Sequence, residues 1–146
     1  MSVQDQTDAE QRNVDHMRRL MILLSDGRSG LEKVAREAPS LMHPDLEWTP
    51  ALFPQGKRVY RGIDEYRAYL EEVAPQQTES SYVNVQEIRP VDADRVLMLS
   101  WVHHEGADGA RYEGEYALLA RIEDGLIREL TSFATFAEAE RAAADA

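Results

Sequence analysis

The chain contains no cysteine. This absence excludes disulfide bonds, thiolate catalysis and zinc–sulfur sites. Basic side chains are also scarce, because 16 lysines and arginines are outnumbered by 27 acidic residues, and the formal net charge is −11. Nucleic acids and anionic lipid surfaces both require positive charge from a protein partner. We therefore expect neither nucleic acid nor membrane as a partner.

Long apolar runs are missing as well. Runs such as Val96–Leu99 fall far short of the roughly 20 residues that span a bilayer, and Met1–Glu10 is too polar and acidic for a secretory signal. The 146 residues, 43% of them hydrophobic, suffice for one domain with a core. We expect a soluble, cytoplasmic protein in which residues 1–12 are frayed and residues 13–146 form a single domain.

Helical periodicity dominates the first half of the chain. Apolar residues at positions 14, 17, 20, 21 and 24 predict a helix over Asn13–Leu24, with Thr7 as an alternative start. Ser29 and Glu32 have the spacing of a capping box, which predicts a second helix over Gly30–Glu37 that ends before Pro39. A third helix is predicted over Ile63–Val73. Between the second and third helices, prolines leave room only for a short strand, Asp45–Thr49.

The pattern of the second half of the chain predicts β-strands separated by turns. The predicted strands are Tyr82–Ile88, Arg95–His104, Arg111–Ile122 and Leu126–Phe136. The tail, Ala137–Ala146, is either a short helix or a frayed end. Helices followed by strands predict an α+β fold. We expect a cone-shaped, curved antiparallel sheet with three helices on its concave side, and a hollow that can hold a small ligand.

Three stretches carry a family resemblance. They are His43-Pro44-Asp45-Leu46-Glu47-Trp48, Tyr60-Arg61-Gly62-Ile63, and Glu123-Asp124-Gly125-Leu126-Ile127-Arg128 with the later Ala137-Glu138-Ala139. In this order they resemble the nuclear-transport-factor-2-like superfamily, in particular its SnoaL-like, polyketide-cyclase-like branch. The resemblance implies a ligand-binding cone. It does not specify a reaction, because the fold hosts isomerases, cyclases, epoxide hydrolases, dehydratases and binders without activity.

Known catalytic sets of the superfamily do not map onto this chain. A ketosteroid-isomerase-like member needs a carboxylate at the end of the first strand, a phenol on the first helix and an acid on a long strand. The resemblance puts Thr49 and Leu118 at the first and third positions, and the first helix offers no tyrosine. The Asp–Arg–Asp set of a limonene-epoxide-hydrolase-like member cannot be assembled either. Whether the chain is an enzyme therefore stays open.

Glu47 is one of two catalytic candidates. It shares a face of the first strand with Thr49. On the inner face, an apolar cone would raise the pKa of Glu47 toward the range of a general base. On the outer face, Glu47 would be exposed or paired with a cation such as Arg61. A shift of one residue in the register of the strand would exchange these two alternatives.

His103 is the second catalytic candidate. It shares a face of its strand with Trp101, and an inward His103 could act as an acid or base near neutral pH. The alternative is that His103 is simply exposed to solvent at the end of the strand. Because His103 and His104 are neighbours on one strand, one of them faces inward and the other outward.

Seven residues are candidates for ligand binding, with ordinary core packing as the alternative role. They are Thr49, Tyr69, Trp101, Tyr112, Tyr116, Leu118 and Ser132. No spacing indicates a metal site or a cofactor, and we expect neither.

Two functions follow from this set of residues. The chain is either an acid–base isomerase, cyclase or hydrolase acting on an apolar oxygenated metabolite, or a non-catalytic ligand-binding or dimeric interaction module. A homodimer is expected from the resemblance and from an outer sheet face that needs covering. The residues assigned to that face are Ala117, Leu119, Thr131 and Phe133.

Overall fold

The computed structural model describes residues 3–51, 59–76, 78, 80–106 and 108–145. Its helices are α1 (Val3–Leu24), α2 (Gly27–Leu41), α3 (Gly62–Val73) and α4 (Phe136–Ala144), with one 3-10 turn at Ala74–Gln76. Its strands are β1 (Met42–Thr49), β2 (Tyr60–Arg61), β3 (Tyr82–Pro90), β4 (Arg95–Glu105), β5 (Arg111–Glu123) and β6 (Leu126–Phe133). None of the described helices is long and apolar enough to cross a membrane.

The strands form one sheet in the order β2-β1-β6-β5-β4-β3. The predicted α+β fold is confirmed, with one difference: β1 runs parallel to β6, whereas the other neighbouring pairs are antiparallel. Sequence patterns indicate direction mainly where a hairpin joins two strands. Most of the chain separates β1 from β6, so only the packed fold sets their relative direction.

Helices α1, α2 and α3 pack on one face of the sheet, the inner face. Along β4, Val96 and Met98 point to this face, and the β5 residues opposite them are Ala120 and Leu118. They join the buried side chains of α1, such as Met17, in one hydrophobic core. Burial of this apolar surface drives the helices onto the sheet.

Helix α4 packs on the opposite, outer face. Its Ala139 is fully buried in a second apolar cluster with Leu97, Leu99 and Ala117, against which Leu119 and Phe133 also pack. Thr135 caps the helix by accepting the N–H of Glu138, which also explains why β6 ends before the predicted Phe136. Much of the outer apolar face that suggested a dimer is therefore covered by the chain's own C-terminal helix.

The N-terminal segment differs from the prediction. Helix α1 begins at Val3, whereas the sequence predicted fraying up to Arg12. Pairs one turn apart support this extension: the side-chain amides of Gln4 and Gln11 donate to the carboxylates of Asp8 and Asp15, each at 2.9 Å. Such polar pairs leave no apolar periodicity to detect. Met1, Ser2 and Ala146 lie outside the described residues.

Helix α2 continues through Pro39, which the sequence predicted as its end. Proline lacks an N–H, so the carbonyl of Ala35, one turn earlier, loses its helical partner. The Arg67 side chain of α3 donates its Nε–H to this carbonyl at 2.8 Å. A neighbouring helix thus satisfies the group that the proline leaves unpaired.

Candidate functional site

A cavity of about 100 Å³ lies between the inner face of the sheet and the three helices. Its walls come from the α1–α2 junction, from α3 and from β1, β3, β4, β5 and β6. The lining side chains include an exposed residue, Tyr82, and a buried one, Trp48, so the cavity extends from the surface beside β3 into the core. Among the residues that the structure describes, no aspartate, glutamate, lysine or arginine lines the cavity.

Aromatic side chains form the inner wall of the cavity. The ring of Trp48 meets Tyr66 and Tyr69 edge to face, with centroids 6.0 and 5.5 Å apart. Tyr60 lies behind Tyr69 at 5.0 Å. Such tilted aromatic pairs are favourable and hold each other in place. The wall of the cavity nearest the core is therefore a packed cluster whose shape is set without a ligand.

The register of β1 places Trp48 in this wall and Glu47 outside it. Trp48 lies opposite Leu130 of β6 on the inner face, so its neighbours Glu47 and Thr49 point outward. The carboxylate of Glu47 pairs with the Arg61 guanidinium at 2.6 Å. This is the alternative that the sequence left open. Glu47 and Thr49 therefore do not reach the inner cavity.

The two adjacent histidines of β4 point to opposite faces of the sheet, and His104 is the one that faces inward. The ring of His103 stacks on Tyr82 at 5.1 Å and its Nδ1 lies 2.6 Å from the carboxylate of Glu113, so it stands at the rim of the cavity, on the outer side. Trp101 shares the outer face and is 43% exposed. Neither Trp101 nor Tyr112 lines the cavity, and His104 is the buried histidine of its wall.

Three of the predicted ligand-binding residues do line the cavity: Tyr69, Tyr116 and Leu118. Ser132 is buried behind them; it lies beside the phenol of Tyr116 and accepts the backbone N–H of Ala51 at 2.6 Å. Of the nine predicted site residues, the structure thus brings Tyr69, Tyr116, Leu118 and Ser132 together on the inner side of the sheet, and His103 reaches the cavity at its rim.

Burial sets the protonation of the cavity wall. It raises the pKa of Tyr116 to about 12, although the Ser132 hydroxyl partly opposes this shift. Burial also raises the pKa of Tyr66 and of Tyr69, and the nearby Tyr116 phenol adds to both shifts. For His104, burial lowers the pKa, with a smaller contribution from His103 and an opposing attraction from Asp108. The phenols and the inward imidazole are therefore uncharged at neutral pH.

One polar atom in the wall lacks a partner. The indole Nε1 of Trp48 is buried and forms no hydrogen bond with any residue that the structure describes. The side chain is only 4% exposed. Buried donors are nearly always satisfied in folded proteins, so an unpaired one is informative.

Sequence comparison now places the chain among known proteins. Residues 31–130 match the SnoaL-like domain family. The chain belongs to this family. The match covers the cavity-lining parts of α2, α3 and the sheet, and it confirms the predicted resemblance.

Solved structures similar to this SnoaL-like chain share its fold. A phenazine biosynthesis-related protein from Pseudomonas aeruginosa is 14% identical, with a TM-score of 0.71, over 97% of this chain and 90% of that one. An NTF2-like protein from Burkholderia pseudomallei is 17% identical, with a TM-score of 0.61, over 97% of both chains. An LEH-like epoxide hydrolase from M. tuberculosis is 12% identical, with a TM-score of 0.66, over 90% of this chain and 89% of that one. Comparison with curated proteins finds no match.

Sequence reasoning missed two residues of this SnoaL-like site, Trp48 and His104. A signal for Trp48 was present, because Leu46 and Trp48 are the apolar alternates of β1 and the charged residues lie between them. For His104 the sequence offered only the rule that one of two adjacent histidines faces inward. Among the residues that the structure describes, no group of three histidines or carboxylates could hold a metal ion.

Proposed function

We propose that this SnoaL-like chain binds one small, uncharged, largely apolar molecule in the inner cavity. The observation that carries the proposal is the composition of the wall, in which aromatic and aliphatic side chains surround a few uncharged polar groups. An ion would lose its hydration there without gaining a counter-ion. The cavity selects against charge even though the protein as a whole carries −11.

The size of the cavity limits the ligand to about one ring. Its volume is about 100 Å³, which is smaller than the apolar cavity of roughly 150 Å³ that accommodates benzene in another protein, so any substituent on a bound ring must extend toward the surface. The ring cluster around Trp48 leaves no room for a polycyclic body unless side chains move. We therefore propose a single-ring compound, or a ring-sized part of a larger molecule that extends past Tyr82 at the surface.

A screen of uncharged single-ring compounds tests this proposal by thermal unfolding. A ligand at 100 times its dissociation constant stabilises the fold by about 2.7 kcal/mol. We expect Val102→Phe, which fills part of the cavity, to abolish the shift, and Glu47→Gln on the outer face to preserve it. A screen without any stabilising compound, or equal stabilisation of the Val102→Phe variant, would contradict the proposal.

Acid–base catalysis on the bound molecule is the second candidate function, and it rests on His104. Burial keeps this imidazole neutral, so it can accept a proton at neutral pH, and it lies in the cavity wall. One relative by fold is described as an epoxide hydrolase, a class of reaction that needs proton transfer. In this proposal His104 takes the catalytic role predicted for Glu47 and His103.

Substitution of His104 separates catalysis from binding. For any compound that the protein converts, His104→Gln should reduce kcat by about 100-fold or more while the compound still binds. His103→Gln serves as the matched control at the neighbouring outward position and should retain turnover. Full turnover by the His104→Gln variant would leave binding as the function.

A further inference from the structure

Trp48 is the one described side chain whose buried nitrogen has no partner. Its indole ring lies in the cavity wall, between two phenols that hold it edge to face. A buried donor without an acceptor destabilises the fold, because water solvates that donor in the unfolded chain. In a cavity wall, a bound molecule is the group that can supply the missing acceptor.

The indole differs chemically from the polar groups around it. A phenol can both donate and accept a hydrogen bond, so Tyr66, Tyr69 and Tyr116 can pair with one another, with Ser132 or with a hydroxyl of the ligand. An indole N–H can only donate. None of the described neighbouring oxygens forms a hydrogen bond with Nε1. The missing partner must therefore be an acceptor.

We infer that the ligand carries an acceptor oxygen, such as that of a ketone, an ether or an epoxide, and that this oxygen accepts the hydrogen bond of Trp48 Nε1. The inference rests on the proposed function and adds the polar feature of the ligand and its position. A carboxylate would also accept this bond, but none of the described residues that line the cavity is a lysine or arginine that could balance its charge. The ligand is therefore an uncharged molecule with its oxygen at the core end of the cavity.

The competing arrangement is an N–H of Trp48 that rests on the ring face of Tyr69, whose centroid is 5.5 Å away at an interplanar angle of 69°. A contact of this kind is weaker than a hydrogen bond to oxygen. It would satisfy the indole without a ligand, so the experiment must distinguish an oxygen acceptor from mere filling of the cavity.

Acetophenone and α-methylstyrene provide this distinction, since they have the same shape and differ in C=O against C=CH₂. Their dissociation constants are measured by tryptophan fluorescence in the full chain carrying Trp101→Phe, so that Trp48 is the reporter. The ratio of the two dissociation constants is then measured by thermal unfolding in the Trp101→Phe chain and in the chain that also carries Trp48→Phe. We expect the preference for the ketone to fall by about tenfold when the indole N–H is removed.

A second substitution guards against misfolding of Trp48→Phe. Replacing Trp48 by benzothienylalanine in the Trp101→Phe chain keeps the bicyclic shape and exchanges N–H for sulfur. We expect the same tenfold loss of preference, and we expect Glu47→Gln, the next residue on the same strand, to leave the ratio unchanged.

The outcomes separate this inference from the proposed function. An unchanged ratio in both Trp48 variants, with both probes still bound, overturns the inference and leaves binding in the cavity intact. Tighter binding of benzoate than of acetophenone also overturns it, because the site would then favour an anion. If neither probe binds, the inference is overturned. The broader compound screen then still tests the proposed function independently.

Discussion

His104 couples the stability of the protein to pH. Because burial lowers its pKa in the folded state, the unfolded chain takes up the proton first as pH falls through the ordinary value near 6.5. The free energy of unfolding should therefore decrease below about pH 6.5 and stop decreasing, for this group, once pH is below the folded pKa. The attraction of Asp108 reduces the size of the effect without changing its sign.

The test is denaturant unfolding between about pH 5 and pH 7.5, which brackets the ordinary histidine pKa. We expect His104→Gln to show a smaller loss of stability on acidification than the unsubstituted protein. His103→Gln is the matched control, since it removes the outward histidine of the same strand. Parallel curves for the unsubstituted protein and His104→Gln would show that His104 does not contribute.

At Gly30, the backbone of α2 packs directly against the end of α1. A Cβ at this position would collide with the backbone carbonyl of Leu23, which cannot move out of the way as a side-chain end could. We expect Gly30→Ala to lower the free energy of unfolding by about 1–3 kcal/mol, despite the better helix propensity of alanine. Glu32→Ala, exposed on the same helix, should change it by less than about 1 kcal/mol. An equally stable Gly30→Ala variant would contradict this packing.

At the scale of elements, the link between α2 and α3 depends on a proline. Arg67→Met removes the donor to the Ala35 carbonyl, and Pro39 cannot replace it. We expect a loss of about 1–3 kcal/mol in unfolding free energy, as for a hydrogen bond made by a charged donor. Chemical denaturation at neutral pH measures this loss.

A double-mutant cycle tests the physical reason for that loss. In a Pro39→Ala background, the new backbone N–H of residue 39 can bond the Ala35 carbonyl within the helix. In this background, Arg67→Met should lower the free energy of unfolding by clearly less than it does when Pro39 is present. Equal costs in both backgrounds would mean that the proline does not create the need for Arg67.

Strand alternation was readable from the sequence in some elements and not in others. On β5, the inward positions of Tyr116 and Leu118 were assigned correctly, because apolar residues alternate over a long strand. Strand β1 has a shift in register between Met42 and Glu47, where Pro44 interrupts the pairing. After this irregularity only Leu46 and Trp48 continue the apolar alternation, and this short pattern did not decide between Glu47 and Trp48 as the inward residue.

At the scale of the whole molecule, oligomeric state stays a prediction. Helix α4 covers much of the outer apolar face, but Tyr82 and Trp101 remain 47% and 43% exposed. We expect a homodimer whose interface includes these two aromatic residues, and we expect Trp101→Glu to dissociate it. Light scattering on both proteins provides the measurement. A monomeric unsubstituted protein would contradict the prediction.

Composition, periodicity and three short motifs were enough to predict the class of fold, the order of the first three helices and the longer strands, and the family, because these depend on local patterns that the chain carries along its length. The two-residue strand β2 was not predicted. The direction of β1 beside β6, the position of α4 and the residues of the cavity wall depend on contacts between distant segments. On β1 and on β4, a shift of one residue in register would exchange the inward and outward positions of Glu47 and Trp48, and of His103 and His104. Packing of the whole core selects that register.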